Sequence, residues 1–347
     1  MILTATPSAK YKIIRNMTSC DNNLLNIVWL CEIAGVSRSG YYYWLNAEKS
    51  RQERQRQDER DFELILAAYK HRGYDKGIRG IHMRLLHLSE PIVMNPKKIS
   101  RLMKKYNLRC PIRKANPYRR MSKAMQTNNV APNLLNREFH AHGARRILLT
   151  DITYISRHSN SETQKYSYLS VIMDAFTREV LAYIVSLSLE VDFVLETVNI
   201  LMADHGNELH TDTLVHSDQG CHYTSHKFQE ILANSELRQS MSRKANCWDN
   251  APQESLFGHM KDEVRILPSD THRDIVKKID DWMDYYNRER YQWSLAKLSP
   301  NGFYRYITTG EYPLPGTPPK GVVGGAAPKP PEFIALVSKE GKEKDDT

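Results

Sequence analysis

The chain has 347 residues, with 49 Lys and Arg against 40 Asp and Glu and a formal net charge of +9. That length exceeds one ordinary core, so two or three domains are expected, and the basic excess points to an acidic polymer as partner. No window approaches the ~20 apolar residues of a membrane span and the N-terminus has no long apolar leader core, so the expected partner is nucleic acid, not a membrane, and the expected compartment is the cytoplasm. Cys20, Cys31, Cys110, Cys221 and Cys247 are scattered without a C-x-x-C pair, which argues against both a disulfide framework and a thiolate zinc site.

Residues 24–45, LLNIVWLCEIAGVSRSGYYYWL, read as an apolar helix, an Ala-Gly break and a second helix capped by Ser37. This is helix-turn-helix shape, and it fits a packed helical hairpin as well as one that carries Arg38 to DNA. Residues 47–63 are rich in Arg, Gln, Glu and Asp and read as a solvated helix or linker. From Phe62 to Leu108 three further helices are expected, broken at Gly73, Gly77 and Pro91, with Asn95 capping the last and Pro96 at its first position.

Between Pro91 and Arg137 there are 12 Lys or Arg and no Asp or Glu. Such a run suits a solvated linker or a phosphate-binding surface. The second is favoured because Lys97, Lys98, Arg101, Lys104 and Lys105 alternate at helical spacing with apolar Ile99, Leu102 and Met103, so that one face packs while the other meets phosphates. The basic stretch from Lys97 to Lys123 is thus the expected DNA clamp.

After about Arg145 the pattern changes. RILLTDITYIS, YSYLSVIMD and EVLAYIVSLS read as three successive strands, DFVLETVNILMADH as a helix, TLVHSD as a strand, HKFQEILANSE as a helix, LRQSMS as a strand, and a further helix starts near Ala251 with Asn250 as its cap. This order predicts an α/β fold, a mixed sheet flanked by helices. A last helix in IVKKIDDWMDYYNRER precedes a tail that holds seven of the chain's 16 prolines between Pro313 and Pro331 and reads as extended or disordered.

Three acids stand out in this region. Asp151 lies inside an apolar strand, where a carboxylate is costly unless paired, protonated or bound to a cation. Asp218 follows a strand at its carboxyl end, where α/β sheets gather functional groups. Glu254 falls in the first turns of the helix after Asn250. Singly, each has an ordinary explanation: a buried ion pair, a turn aspartate, an exposed helix glutamate. Together they form an oxygen-donor set suited to Mg²⁺ or Mn²⁺, and a pair of such ions would activate a nucleophile and neutralise a leaving oxygen in phosphodiester chemistry. His216 and His222 flank Asp218, but metal-assisted attack requires no protein base of this kind, and both stay outside the expected catalytic set.

The segments TDITYI, HSDQG with YTS, and SMSRKANCWDNAPQESLFGHMKDE resemble the integrase-core transposases of bacterial insertion sequences, of the second-reading-frame (OrfB) type, within the retroviral integrase superfamily. Asp218 and Glu254 are separated by 35 residues, as in the family's Asp-Asp-35-Glu pattern. Lys261, seven positions after Glu254, matches the family's basic position, and YYNRERYQWSLAKLSP is similar to its Y-N-x-x-R segment. Asp174 matches a further acidic position, but its place between two strands favours a turn role. Two departures are small: LLTDITYI lacks a tryptophan common before the first Asp, and KANCWDN has Ala where Gly is common.

The resemblance implies an RNase H-like five-stranded mixed sheet, with Asp151 on the first strand, Asp218 just after the fourth and Glu254 on a helix. It implies metal-dependent cleavage at the element's ends followed by strand transfer, with Asp151, Asp218 and Glu254 as catalytic and metal residues and two Mg²⁺ or Mn²⁺ ions per site. The partners implied are double-stranded DNA, both terminal inverted repeats and target, further copies of the chain, and the first-reading-frame product. Lys261 is expected beside the DNA phosphate, while Arg243 and Lys244, just before the catalytic helix, suit DNA contact and a solvated position equally. The expected organisation is a helix-turn-helix-like segment and linker (1–60), a basic helical DNA-binding domain (61–125), a linker (126–144), the catalytic core (145–267), a helical extension (268–310) and the tail (311–347). A retroviral-type integrase would bring an N-terminal His-His-Cys-Cys zinc module, which the scattered cysteines do not provide. The alternative from another class is a catalytically inactive DNA-binding regulator derived from a mobile element.

Overall fold

The computed structural model describes residues 6–20, 25–74, 76–111, 142–156, 166–242 and 250–318. The first helices are α1 (Pro7–Thr18), α2 (Ile27–Ala34) and α3 (Arg38–Asn46). They enclose a small core of Ile14, Leu30, Cys31, Ala34 and Tyr41. Ser37 caps α3 by accepting from the Gly40 amide at 3.1 Å, and Gly35 closes α2 in the left-handed conformation at φ 62°, where glycine carries no Cβ penalty. Helix α1 is absent from the expected elements. Its sequence is polar overall, and it is held by packing: a Cβ on Gly40 would collide with the Tyr11 hydroxyl.

Helix α4 (Glu48–Lys70) is one continuous helix of 23 residues. Its Arg, Gln and Glu are good helix formers, so the solvated stretch and the apolar FELILAAYK share one rod, and the expected limit between residues 60 and 61 falls inside it. With α5 (Ile78–Leu86) and α6 (Pro96–Lys105) it buries Ile65, Ile81, Leu85, Ile99 and Leu102 in a second core. Asn95 accepts from the Lys97 amide at 2.8 Å, a cap of about 1 kcal/mol.

The sheet comprises β1 (Ile147–Ser156), β2 (Tyr166–Asp174), β3 (Val180–Ser186), β4 (Leu214–Ser217) and β5 (Arg238–Met241), in the order β3-β2-β1-β4-β5. Strands β1, β2 and β3 are antiparallel, while β4 runs parallel to β1 and β5 parallel to β4. This is the mixed five-stranded sheet expected of the RNase H-like arrangement. Helices α7 (Val191–His205) and α8 (His226–Asn234) cover one face through Phe193, Val198, Leu201 and Phe228. On the other face lie α9 (Ala251–Glu263) and α10 (His272–Arg288), with Leu256, Met260, Ile279 and Trp282 against Leu149, Val171 and Met173. A final helix, α11 (Pro300–Thr309), packs Phe303 on Phe176.

The Y-N-x-x-R segment acts as a fastener. Asn287 accepts from the Val180 amide and donates to the Val180 carbonyl, at 2.9 and 2.8 Å, so it pairs with β3 as a strand would. Arg290 forks onto both oxygens of Glu263, the last residue of α9, at 2.9 to 3.2 Å. Asp174 has the turn role expected of it. It is fully buried, accepts from the Phe176 amide at 2.8 Å and from the Arg145 amide at 2.9 Å.

Candidate active site and nucleic-acid interface

Register places the first two acids. Leu149 of β1 is paired with His216 of β4 in a parallel ladder, so Asp151 and Asp218, each two positions further on, emerge side by side at the carboxyl edge of these strands. Asp151 shares the side of β1 that Leu149 presents to α9, because side chains alternate along a strand. Glu254 is in the first turn of α9, two positions before the buried Leu256 that, with Phe257, seats the helix. Lys261 lies two helical turns after it, on the same face.

The charges of Asp218, Glu254 and Lys261 all act on Asp151. The Asp151 carboxyl is pushed up to about 8, first by burial, then by the charges of Asp218 and Glu254, while the Ile152 amide and Lys261 oppose the shift. Burial also raises Asp218, which keeps solvent access at the strand end and takes a hydrogen bond from the Gly220 amide at 2.9 Å. Lys261 is lowered by the protein around it and partly restored by Asp151. Repulsion of a half-buried carboxyl by neighbouring carboxylates, as at Asp151, is what a bound cation relieves. Among the described residues, no three His, Cys, Asp or Glu side chains are already closed into a metal-holding cluster. The donor set nonetheless suits a hard divalent ion, being all carboxylate oxygen.

One expectation about α9 changes. Asn250 occupies the cap position, yet its side chain makes no capping bond; its backbone, at φ −127° and ψ 26°, is not the extended conformation that turns a cap side chain onto the helix end. Arg243 and Lys244 lie outside the described residues. The histidines near Asp218 have structural work. His216 is buried and bonds through Nδ1 to Ser240 Oγ at 3.0 Å across β4 and β5, and His222 Nε2 contacts the Leu189 carbonyl at 2.6 Å.

The basic helix α6 is more neutralised than its sequence suggests. Arg101 makes a two-pronged pair with Asp58 of α4 at 2.7 and 2.8 Å, Lys105 reaches the same carboxylate at 2.8 Å, and Lys98 pairs with Asp61 at 2.5 Å. Lys97 and Lys104 are exposed, as is Arg38 in the first turn of α3. Sequence reasoning also missed Tyr154, half-exposed on β1. It packs edge-on against Tyr168 and Tyr166 of the neighbouring strand, and burial first, then the charges of Tyr168, Cys221 and Asp218, raise its hydroxyl. Alternation of YI and YSY along the two strands was the available signal.

The family profile described as Integrase core domain matches residues 141–247, a second Integrase core domain profile matches 235–300, and an HTH-like domain profile matches 56–116. A 31 kDa protein of insertion element IS600 from Shigella sonnei is 30% identical over 276 residues, covering 79% of this chain and 97% of that one. The chain belongs to the integrase-core transposases of insertion sequences. This transposase is likewise 30% identical over 274 residues to the protein named as transposase InsK of insertion element IS150 from Escherichia coli, covering 78% and 90% of the two chains. Among solved structures, the transposase is similar to the HTLV-2 integrase catalytic core domain in complex with magnesium, with a TM-score of 0.34 and 14% identity over 46% of this chain and 95% of that one. The HTH-like profile falls on α4 to α6, the helices that carry Lys97 and Lys104, and not on the α2–α3 hairpin. No described helix is long and apolar enough to cross a membrane.

Proposed function

We propose that Asp151, Asp218 and Glu254 are the catalytic acids of this transposase and hold two divalent ions, Mg²⁺ or Mn²⁺, while it cuts the ends of its own element and joins them to target DNA. The observation that carries the reading is the register of β1 and β4: Leu149 pairs with His216, so Asp151 and Asp218 leave neighbouring parallel strands side by side. The turn after β4 and the first turn of α9, both remote in sequence, bring the charges of Asp218 and Glu254 to bear on the half-buried Asp151 carboxyl of β1. Bound there, the ions supply charge neutralisation on the phosphate and activation of the attacking hydroxyl. The chain's own part is orientation: the Ile152 and Gly220 amides fix the Asp151 and Asp218 carboxylates through Oδ1, at 2.8 and 2.9 Å. Lys261, on the face of Glu254, meets the DNA phosphate beside them.

In this reading the same acids serve hydrolysis, which frees a 3′-hydroxyl, and strand transfer, in which that hydroxyl attacks a second phosphodiester. No side chain forms a bond to DNA. The core spans 145–267, the extension 268–310 braces it, and the module of 61–125 grips element-end DNA, with Lys97 and Lys104 of α6 foremost. Further copies of the chain and the first-reading-frame product complete the assembly on cytoplasmic DNA. The test is Mg²⁺-dependent cleavage and strand transfer on element-end duplex by the wild type and Glu254→Gln. Unchanged activity in the variant would sink the site assignment. Binding without cleavage by the wild type would favour the regulator reading.

A further inference from the structure

The loop after α10 presents two adjacent charged residues to two different parts of the molecule. Arg290 turns inward. Its guanidinium holds both oxygens of Glu263 at 2.9 to 3.2 Å, in a site where the two side chains are 16% and 7% exposed, and Trp282 Nε1 donates to the same carboxylate at 2.9 Å. Glu263 ends α9, two residues beyond Lys261 and nine beyond Glu254. A planar fork on a carboxylate sets both the distance and the rotation of what it holds, so Arg290 fixes how α9 presents its active-site face.

Glu289, one position earlier, turns toward the helical module. It contacts His71 and Arg72 in the 3-10 turn that follows α4 and lies 3.6 Å from Arg84 of α5. Arg72 reaches on to Asp284 of α10 at 3.2 Å. Around this cluster, His87 stacks on Tyr291 with ring centroids 3.6 Å apart and bonds the Lys297 carbonyl at 2.9 Å, and Tyr74 packs on Tyr285 at 4.5 Å. The helices matched by the HTH-like profile and the helix that carries Glu254 are therefore held by neighbouring residues of one short loop.

We infer that Glu289 and Arg290 are positioning residues that form a brace, through which the seating of the helical module on DNA sets the placement of α9 and of the Glu254 and Lys261 it carries. The inference rests on the reading of Glu254 as a catalytic acid and of the α4–α6 helices as DNA-contacting. Buried ion pairs contribute little net stability against apolar replacements of similar shape. Their value here is geometric, since a shift of about 1 Å in a reacting group is enough to cost on the order of 100-fold in rate.

The test uses the full-length chain with Mg²⁺ and a duplex carrying the terminal inverted repeat of its element, beside a truncated duplex too short to extend past the core. Arg290→Met is expected to lower kcat for cleavage on the order of 100-fold on both duplexes with little change in KM, and Arg290→Lys to recover part of it. Glu289→Gln is expected to slow cleavage of the long duplex and leave the short one unchanged. Hydrogen exchange of the α9 amides supplies a readout independent of chemistry: DNA binding slows it in the wild type and fails to do so in Glu289→Gln. Full rate in a folded Arg290→Met, equal losses on both duplexes for Glu289→Gln, or DNA-induced protection of α9 retained in Glu289→Gln would each overturn the brace. If Arg290→Met does not fold, the Glu289→Gln comparisons decide. A wild type that protects α9 on binding DNA but cuts nothing would remove the catalytic reading and leave the brace standing.

Discussion

Gln253 donates from Nε2 to the main-chain carbonyl of Val171 at 3.3 Å, and Val171 is the β2 residue paired with Asp151. The residue before Glu254 is thus hooked to the strand position opposite Asp151, so one side chain links two of the three acids through the sheet. Gln253 is fully buried, and its Oε1 has no hydrogen-bond partner among the described residues. Replacing it with Leu removes the hook together with the unsatisfied acceptor, two effects of opposite sign on stability. Gln253→Leu should therefore change unfolding free energy by less than about 1 kcal/mol in urea titration, yet slow cleavage by about tenfold or more through a looser first turn of α9. A large stability loss with unchanged kcat would contradict this.

The elevated Asp151 carboxyl makes a pH-dependent prediction. Its folded value, about 8, lies above the ordinary 3.8, so in metal-free protein its stabilising contribution is full below the unfolded value and is lost as pH rises toward 8. Asp151→Asn carries no such charge. The variant should gain melting temperature over the wild type at pH 8 without metal, by about 2 to 4 °C per kcal/mol recovered, and the gain should vanish near pH 4. It should also abolish cleavage. Thermal melts at the two pH values check the first point and a cleavage assay the second.

Asp58 engages Arg101 and Lys105 and so competes with DNA phosphate for two exposed cations. Those two cations keep its carboxyl well below the ordinary range, so its contribution to stability is present above the unfolded value and is lost in strong acid. Asp58→Asn is expected to cost about 1 kcal/mol of stability at neutral pH while tightening DNA binding, since it frees two cations. The salt dependence should steepen, each phosphate contact adding about 0.9 to the slope of log K against log salt. Lys97→Ala and Lys104→Ala should do the reverse, each making the slope shallower by about 1. Binding isotherms at several salt concentrations distinguish these outcomes.

Arg145 is the charge centre at the base of the sheet. It is 2% exposed, pairs with Glu179 at 2.7 Å, Glu208 at 3.1 Å and Asp174 at 3.4 Å, and lies 4.1 Å from the centroid of the Tyr304 ring on α11. Arg145→Leu leaves Asp174 and Glu179 buried without their counter-ion. The expected loss is about 3 to 5 kcal/mol of core stability, read by chemical denaturation. A loss under about 1 kcal/mol would mean that the two acids are protonated in the folded protein.

The strands, the helices of the core and the three acids were legible in the chain because they depend on short-range periodicity and on spacing along the backbone. Alternation marks β1 to β3, Asn95-Pro96 opens α6, and 35 residues separate Asp218 from Glu254. What remained hidden depends on contacts between residues far apart in sequence. Nothing local to α6 shows that Asp58 and Asp61 already claim three of its cations, nothing near Gly40 shows that α1 packs there, and Arg145 reads only as a basic residue before a strand. The sequence by itself therefore determined the fold class, and the identity and order along the chain of the three acids proposed as the donor set. Tertiary structure alone decided which cations are already paired with carboxylates, that Gln253 ties the segment of Glu254 to that of Asp151, and that Glu289 and Arg290 face opposite ways. Those facts are set by burial and ion pairing between elements, which no spacing along one segment encodes.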